Sequence, residues 1–358
     1  MRRVEKRFGL ILLLAMIVSF CGMDIMANPN SSIKRKEISR SFSVNGNDRL
    51  EVENKYGNIT VTHWNKGEVS IKVVIECKAS NDRLAEEGIE RVMIESKNEG
   101  GIISANTRFR NSNGGSRNES LTVNYFIQMP AKLKAGLNQK YGNINLPENG
   151  NNEMKIVLKY GNLNAGSFIA PLSVEAKYSN VKLGEIMDAD LDLGYAGSVD
   201  ILKAKRLNVD SKYSNMSVKE LESMAIECKY GKVNISNANV LDMNLAYSDV
   251  KIDRLEEGID VERLSYSNID IKHLSPSFKR FDVKSNYGNV KVKLPASSSF
   301  RVVAENMKYS DCNIKGFKMN MNDFSKSDKN YTFEINNGNG PTIYFDGNSY
   351  GNLNVIAE

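Results

Sequence analysis

A short motif, Lys-Tyr-Gly-Asn or a close variant of it, recurs along most of this chain of 358 residues. Ten of its tyrosines follow one another at intervals of 17 to 22 residues. A fixed period of this length is typical of solenoids, in which each repeat forms one coil that stacks on its neighbours. These tyrosines are Tyr141, Tyr160, Tyr178, Tyr195, Tyr213, Tyr230, Tyr247, Tyr266, Tyr287 and Tyr309, with outlying copies at Tyr56 and Tyr350.

The residues on both sides of each tyrosine alternate between apolar and polar. In one copy Val174 and Ala176 precede Tyr178, and Val181 and Leu183 follow it. Alternation with a period of two indicates strands with one buried face. The sequence therefore predicts an all-β fold, a parallel β-helix (β-solenoid) with coils of roughly 20 residues. The Gly or Ser after each tyrosine, and the Asn or Asp that follows it, supply residues tolerant of left-handed backbone at the bend.

The first 27 residues have the features of a signal peptide. Basic residues precede an apolar run from Phe8 to Phe20, which is short for a membrane span, and Ala27 offers a small residue for cleavage. Lipidation at Cys21 is the alternative, but Phe20 lies where a lipoprotein signal has a small residue. We expect an exported chain with no membrane span after cleavage, located in the periplasm, at the outer membrane or on the cell surface.

Changes in regularity divide the rest of the chain into four regions. The polar stretch 28–41 is expected to be a flexible leader, and 42–130 an irregular β-rich N-terminal region and cap. The period is most regular in 131–316, the predicted β-solenoid, and 317–358 is expected to form terminal coils and a cap. One helix is expected between Asn81 and Val92, where the apolar spacing changes.

Stacked coils convert each repeat position into a column of side chains about 4.8 Å apart. The Asn or Asp two residues after each tyrosine is expected to form a hydrogen-bonded ladder along the rod. The tyrosines form a second column, for which aromatic stacking is the favoured interpretation. The alternative is a strip that binds sugars or an extended peptide against the rings, with Tyr160, Tyr178, Tyr213, Tyr230 and Tyr247 as candidates.

Charged residues form further columns on the outer face. Glu175, Asp192, Asp210 and Glu227 precede their tyrosines by three residues, and Lys159, Lys177, Lys212 and Lys229 precede theirs by one. Salt bridges between these columns are favoured over a calcium site, because the Gly-Gly-x-Gly-x-Asp loop of calcium-binding solenoids is absent. A possible basic surface for anionic glycans or lipids comprises Lys251, Lys272, Lys291, Lys293 and Lys315.

The residues give little support for catalysis. His63 and His273 are the only histidines, and neither has ligands at metal spacing. No catalytic, cofactor-binding or metal-binding residues are predicted, although a β-helix polysaccharide lyase or hydrolase remains an alternative. Cys77, Cys228 and Cys312 form an odd set that predicts no disulfide framework. The formal charge of +5 falls to +3 without residues 1–27, which argues against a nucleic-acid partner.

The Tyr-Gly-Asn copies, after an export signal and an irregular β-rich start, resemble a bacterial β-strand-repeat family named "putative adhesin", a domain family of unknown function. The likeness covers residues from about Phe42 to Ile356 and implies a β-solenoid at a bacterial envelope, with no catalytic residues. The expected function is therefore that of a non-enzymatic adhesin or surface-binding protein, whose partner is an unidentified glycan or protein. An envelope-stress or signalling accessory protein is a further alternative.

Overall fold

The computed structural model describes residues 31–110, 119–325, 329–348 and 350–358. The predicted signal peptide, with its cleavage and lipidation sites, lies outside the described residues. The chain is nearly all β and forms a β-solenoid of about nine turns, with coils of about 18 residues. The fold class predicted from the sequence is therefore confirmed.

The N-terminal region contains seven strands and one helix. Their bounds are β1 Ser32–Ser43, β2 Arg49–Lys55, β3 Ile59–Trp64, β4 Glu68–Ala79, α1 Asp82–Glu90, β5 Val92–Glu99, β6 Ile102–Phe109 and β7 Ser120–Pro130. The helix lies where the sequence predicts it, and the side chain of Asn81 caps it by accepting a hydrogen bond from Leu84 N.

The regular part of the rod follows. Its strands are β8 Lys134–Lys140, β9 Ile144–Asn145, β10 Asn149–Gly150, β11 Met154–Lys159, β12 Asn162–Ala165, β13 Ser167–Phe168, β14 Leu172–Lys177, β15 Asn180–Gly194, β16 Val199–Lys212, β17 Asn215–Lys229, β18 Lys232–Ala246, β19 Asp249–Ser265 and β20 Asn268–Ile271. The last strands are β21 Arg280–Asn286, β22 Asn289–Leu294, β23 Phe300–Glu305, β24 Cys312–Lys315, β25 Met319–Ser325, β26 Asn330–Ile335, β27 Thr342–Asp346 and β28 Asn352–Ala357.

Each central coil pairs in parallel with the next along nearly its whole length. Between β15 and β16 the pairing skips Gly184 and Met187, which mark two corners, and the tyrosine bend makes the third. The predicted inward positions Val174, Val209 and Ile226 lie in one buried column, together with Leu191. Apolar side chains from all three sides fill the interior, so that each coil buries its inner face only against its neighbours.

The order of coils in space differs from their order in the chain at both ends. At the N-terminal end, β2 pairs with β8 on one side and with β6 on the other. At the C-terminal end, β27 lies between β21 and β23, and β28 lies between β22 and β24. The last segment of the chain is therefore inserted beneath the coil that precedes it in sequence.

One expectation about the N-terminal region is wrong. Most of the stretch expected to be a flexible leader, 28–41, belongs to β1, which pairs antiparallel with β4 from Ser32 to Ser43. Ile38 and Phe42 of this strand pack against the core. The apolar residues Ile33, Ile38 and Phe42 are too widely spaced to give an alternating signal, so the stretch resembles a polar linker although a neighbouring strand orders it.

Candidate functional site

Twelve tyrosines form one continuous stack along a corner of the solenoid. Neighbouring ring centroids are 4.8 to 5.4 Å apart, with interplanar angles of 3° to 17°. In space the stack runs from Tyr56 to Tyr141, continues in chain order to Tyr287, and ends with Tyr350 and then Tyr309. The Phe109 ring packs edge-to-face with that of Tyr56, at a centroid distance of 5.7 Å and an interplanar angle of 73°. We call this stack the tyrosine corner.

The tyrosines themselves occupy left-handed backbone. Ten of them, from Tyr56 to Tyr287, have φ between 48° and 64°. The sequence indicated the residues after each tyrosine as the ones tolerant of this conformation, whereas in the structure it is adopted by the tyrosine itself. Left-handed backbone costs a residue with a Cβ about 1–2 kcal/mol, so the corner repeats a strained conformation that the stacked coils must stabilise. Such strain is concentrated at functional sites in many proteins.

The residue after each tyrosine points inward and is small for a steric reason. A Cβ on Gly142 would lie 1.6 Å from Gly57 O, and one on Gly161 would lie 1.8 Å from Gly142 O. Where a serine stands instead, its hydroxyl is buried, and in four of the five cases it bonds the bend backbone, the exception being Ser310. Ser214 Oγ donates to Lys212 O at 2.9 Å and accepts from Ala196 N at 2.9 Å. The small residue therefore allows close stacking of the bends.

The predicted amide ladder is present beside the tyrosine corner. Asn162 Nδ2 donates to Asn143 Oδ1 at 2.8 Å, and Asn180 Nδ2 donates to Asn162 Oδ1 at 2.9 Å. The same bond joins Asn289 to Asn268 at 2.9 Å. These side chains are mostly exposed, and each amide that donates along the ladder has a second N–H, since an Asn side chain carries two.

The geometry of the stack decides what the tyrosine corner presents to solvent. Each ring except the terminal Tyr309 lies between two other aromatic rings, so its faces are covered, while 39–58% of each tyrosine is exposed. The accessible parts are the ring edges and the phenol hydroxyls. The candidates Tyr160, Tyr178, Tyr213, Tyr230 and Tyr247 all belong to this corner. Such a strip offers hydrogen bonds and ring edges, and it does not offer faces on which a sugar ring could lie.

The acidic and lysine columns lie beside the corner as predicted, and they are joined by salt bridges. Glu175, Asp192, Asp210 and Glu227 are direct cross-strand partners in consecutive coils. Lys177 lies 3.0 Å from Glu175, and Lys212 lies 3.1 Å from Asp210. The Glu175 carboxylate raises the pKa of Lys177 by hydrogen bonding to the charged ammonium. At this exposure each pair is worth at most about 1 kcal/mol.

A groove of about 890 Å³ runs along the same face, lined by the acidic column and by the column of residues that precede it by two positions. Asp242, Asp260 and Asp282 follow one another across three coils of this groove. Burial raises the pKa of Asp282, and the neighbouring charge of Asp260 adds to the shift. Arg280 forms an ion pair with Asp260. Among the described residues, no three His, Cys, Asp or Glu side chains are placed to hold a metal ion.

The five lysines of the predicted basic surface do not form an uninterrupted patch. Asp270 lies between Lys251 and Lys291 in the cross-strand register, and Ile356 lies between Lys293 and Lys315. Lys272 is paired with Asp253 at 2.7 Å. These lysines are therefore separated from one another. In the neighbouring coils they lie beside an acidic or a neutral residue.

The predicted lysine column extends two coils further than the sequence indicated, because Lys55 and Lys140 were not recognised as members of it. Lys55, Lys140, Lys159 and Lys177 are direct cross-strand partners in four consecutive coils, each next to a tyrosine of the corner. We call these four residues the lysine quartet. The sequence signal is the complete Lys-Tyr-Gly/Ser-Asn motif in all four copies. It was missed because 85 residues separate Tyr56 from Tyr141, and their adjacency depends on the fold.

The cysteines are separated from this surface. Cys77 and Cys228 are buried, Cys312 is partly buried, and all three are free thiols. Burial raises the pKa of Cys228, and it raises that of Cys312 to about 12. Thiols in such surroundings are unreactive. Within the described ranges, no helix is both long and apolar enough to cross a membrane.

Comparisons with known proteins identify similar solved structures. No family model matches the chain, and no curated protein matches it. A protein of Parabacteroides distasonis named "putative lipid binding protein" is 13% identical, with a TM-score of 0.40, over 71% of this chain and 95% of that one. A "putative adhesin" of the same species is 12% identical, with a TM-score of 0.35, over 72% and 97%. A "putative cell adhesion protein" of Clostridium sporogenes is 12% identical, with a TM-score of 0.19, over 91% and 100%.

The names of these solved structures describe those proteins and not this chain. The adhesin names agree with the family that the repeat resembles. The identities and TM-scores are too low to support an argument about function, and the fold of this chain is established by its own strand register. The features that define the candidate site are therefore those of the chain itself, namely the tyrosine corner, the amide ladder and the charged columns beside it.

Proposed function

We propose that this chain is an exported, non-enzymatic protein of a bacterial cell envelope that acts as an adhesin or surface-binding protein. The observation that carries the proposal is the tyrosine corner, in which twelve half-exposed tyrosines form one continuous strip. Tyrosine is enriched at binding surfaces, because it combines a large apolar ring with a hydrogen-bonding hydroxyl. The basic start and apolar run of residues 1–27 support export.

The tyrosine corner is more extensive than the stability of the hydrophobic core requires. Each coil is already held by buried apolar columns and by parallel pairing along its sides. Contiguous exposed apolar surface on soluble proteins commonly marks an interaction site. A binding role for the ring edges and hydroxyls is consistent with the repetition of the stacked tyrosines, ten of which have left-handed backbone.

Adhesion of the purified chain, residues 28–358, tests this function. Beads coated with the protein are expected to attach to bacterial or host cell surfaces more strongly than uncoated beads. A triple variant, Tyr178→Phe, Tyr213→Phe and Tyr230→Phe, keeps the ring stack and removes three exposed hydroxyls. We expect it to stay folded and to adhere less, whereas Ser217→Ala, on another side of a coil, is expected to leave adhesion unchanged.

Two results would contradict this proposal. If coated beads attached to no cell surface, the proposed adhesive function would be wrong. A triple variant that adheres as strongly as the unchanged chain would show that the hydroxyls are not contacts and would return the tyrosine corner to a structural role.

Export is tested by the N-terminal sequence of the protein recovered from an expressing bacterium. Cleavage after Ala27 predicts a mature chain that begins at Asn28. A chain that begins with a lipid-modified Cys21 would favour the lipoprotein alternative, and an uncleaved chain in the cytoplasm would contradict export.

The acidic groove favours a second candidate function, cleavage of polysaccharides. Asp282 has a raised pKa and lies beside Asp260 in the cross-strand register, and acid–base glycoside cleavage uses a pair of carboxyls. Incubation with acidic and neutral polysaccharides tests this candidate. Release of reducing ends that is lost in Asp282→Asn would support it and would replace the non-enzymatic proposal.

A further inference from the structure

The lysine quartet places four like charges in direct succession. Lys55, Lys140, Lys159 and Lys177 occupy the same position in four stacked coils. Like charges directly opposite one another on neighbouring strands are destabilising. Among the described residues, Lys55 and Lys140 have no carboxylate within 4.0 Å, and Lys159 approaches one only at 3.9 Å, to Glu175. Lys177, at the end of the quartet, pairs with the same Glu175 at 3.0 Å.

The lysines of the column are paired with carboxylates from Lys177 onward. Lys212 pairs with Asp210 at 3.1 Å, and Lys229 pairs closely with Glu227. The difference arises three residues before each tyrosine. At this position the second half of the column has carboxylates, but the coils of Tyr141 and Tyr160 have Asn138 and Val157. The coil of Tyr56 has Glu53, which pairs with Arg108 at 3.0 Å. The charge of the quartet is therefore a local property and not a consequence of the repeat.

Packing against the rings accounts for only part of the quartet. The ammonium groups of Lys55 and Lys140 lie 4.6 and 5.1 Å from the centroids of their neighbouring tyrosines. Cation–π contacts of this kind are worth about 0.5–1 kcal/mol at exposed sites. They explain why a lysine stands beside one ring, but they do not require unpaired lysines in successive coils.

Three kinds of hydrogen-bond donor lie side by side along these four coils. Each coil offers an ammonium group, a phenol hydroxyl and an Asn amide, from Asn58, Asn143, Asn162 or Asn180. The ladder uses one N–H of Asn162 and one of Asn180, so that the second N–H of each remains for another acceptor. An array of donors with a net positive charge fits a ligand rich in acceptors and negative charge.

The stacking of the tyrosine rings further limits the chemical class of ligand that this surface can bind. Single-stranded nucleic acids bind proteins largely by stacking bases on aromatic faces, and the faces of the tyrosine corner are already covered by neighbouring rings. The hydroxyls and ring edges remain accessible. A chain of sugar units offers hydroxyl and carboxylate acceptors along its edge, and it can repeat once per coil at a spacing of about 4.8 Å.

We propose that the four coils carrying the lysine quartet bind a linear polysaccharide that bears carboxylate groups, laid along the solenoid axis. The ammonium groups meet the carboxylates, while the tyrosine hydroxyls and Asn amides bond the sugar oxygens. This inference rests on the proposed function as a surface-binding protein and assigns both the ligand class and its place on the rod.

Binding of polygalacturonate to residues 28–358, measured by calorimetry at low ionic strength, tests the proposal. The unchanged chain is expected to bind, and the double variant Lys55→Gln, Lys140→Gln is expected to bind between about twofold and thirtyfold more weakly. The matched control is Lys212→Gln, Lys229→Gln, which removes two lysines of the same column that are paired with carboxylates. It is expected to change the affinity less than about twofold.

Oligogalacturonates of defined length give a second readout. Affinity should rise with each added unit up to about four, since four coils carry the quartet, and added salt should weaken it. Neutral xylan fragments of the same length and a single-stranded oligonucleotide serve as comparison ligands. Stronger binding of either comparison ligand would overturn the assignment to a carboxylated polysaccharide.

The outcomes separate this inference from the proposed function. Equal affinities of the two double variants for polygalacturonate, or no binding of it by the unchanged chain, would overturn the quartet as its site. Adhesion of coated beads to cells could persist in either case and would leave the surface-binding function standing. Loss of both adhesion and polygalacturonate binding in Lys55→Gln, Lys140→Gln, with neither lost in the control, would support the two together.

Discussion

Replacement of a corner tyrosine by glycine should be less damaging than replacement by alanine. Tyr213 has φ of 52°, in the left-handed region. An alanine at this position loses the ring and keeps the steric conflict of its Cβ, whereas glycine loses the ring and is free of that conflict. At an ordinary strand position the order is the reverse, because glycine weakens strands.

The magnitudes follow from the contacts of Tyr213. Its ring centroid lies 4.8 Å from those of both Tyr195 and Tyr230. Each stacked pair is worth about 0.5–1.5 kcal/mol, so either substitution should cost about 1–3 kcal/mol from stacking alone. Release of the left-handed strain favours glycine by about 1–2 kcal/mol, and the greater entropy of its unfolded chain removes about 0.4–1 kcal/mol of that gain. Tyr213→Gly should therefore be more stable than Tyr213→Ala by about 1 kcal/mol.

Urea unfolding of the two variants measures this difference, and amide hydrogen exchange places it in the rod. Long repeat arrays can unfold in parts, so protection should fall mainly in the coils next to Tyr213. The control pair is Ser217→Ala and Ser217→Gly, at an exposed strand position outside the left-handed set. There glycine should be the less stable by about 0.5–1 kcal/mol. A Tyr213→Gly variant no more stable than Tyr213→Ala would refute the argument from backbone strain.

Three further predictions concern the core, the amide ladder and the acidic groove. Val209→Asp should cost several kcal/mol, since it buries an unpaired charge, while Asp210→Ser should cost under about 1 kcal/mol; equal shifts in urea unfolding would contradict the register. Asn180→Ala removes two ladder bonds and should cost about 1–3 kcal/mol in the same assay, whereas no loss would remove the ladder from the stabilising contacts. The raised pKa of Asp282 means that its contribution to stability is present below the unfolded pKa of the carboxyl and is lost as pH rises through the folded pKa. Asp282→Asn should therefore stabilise the protein at pH 7 and have no such effect at the acidic end of a urea-unfolding pH series, and an equal effect at both ends would contradict the shift.

The features that repeat locally were the ones that the sequence predicted well. The alternation around each tyrosine fixes which residues point inward, and Val174, Val209 and Ile226 do share a buried column. The column of Asn and Asp follows from the same period, and its hydrogen bonds are present. Each of these inferences needs only the spacing of one copy and the stacking of copies in register.

The backbone conformation of the bends could not be predicted from the sequence and was learned from the structure. Gly and Ser are tolerant of left-handed backbone or turns, and this propensity drew attention to the residue after the tyrosine. In the structure that residue is selected by crowding between coils, as Gly142 and Gly161 demonstrate. The left-handed residue is the tyrosine. Intrinsic backbone preference disfavours this conformation for a tyrosine, and the stacking of its ring offsets that cost.

The charge of each surface patch also depends on which residues are adjacent in the folded stack, and this adjacency cannot be read from their distance in the sequence. Lys251 and Lys291 were expected to act together, but Asp270 of an intervening coil lies between them. Lys55 and Lys140 are far apart in the chain and adjacent in space. The charge of a solenoid face is set by the order in which coils stack, and that order departs from chain order at both ends of this molecule.

The insertion at the C-terminal end shows how stacking order and surface are connected. Tyr350 lies between Tyr287 and Tyr309, with centroid distances of 4.9 and 5.1 Å, so that the tyrosine corner continues without a gap through a coil inserted out of sequence. Asn352 fills the equivalent place in the amide ladder by donating to Asn289 Oδ1 at 2.8 Å. A segment that returns to pair on both edges satisfies the backbone groups of two coils at once. Because it also restores the two surface columns, the continuity of the corner is a property of the folded stack and not of the repeat in the chain.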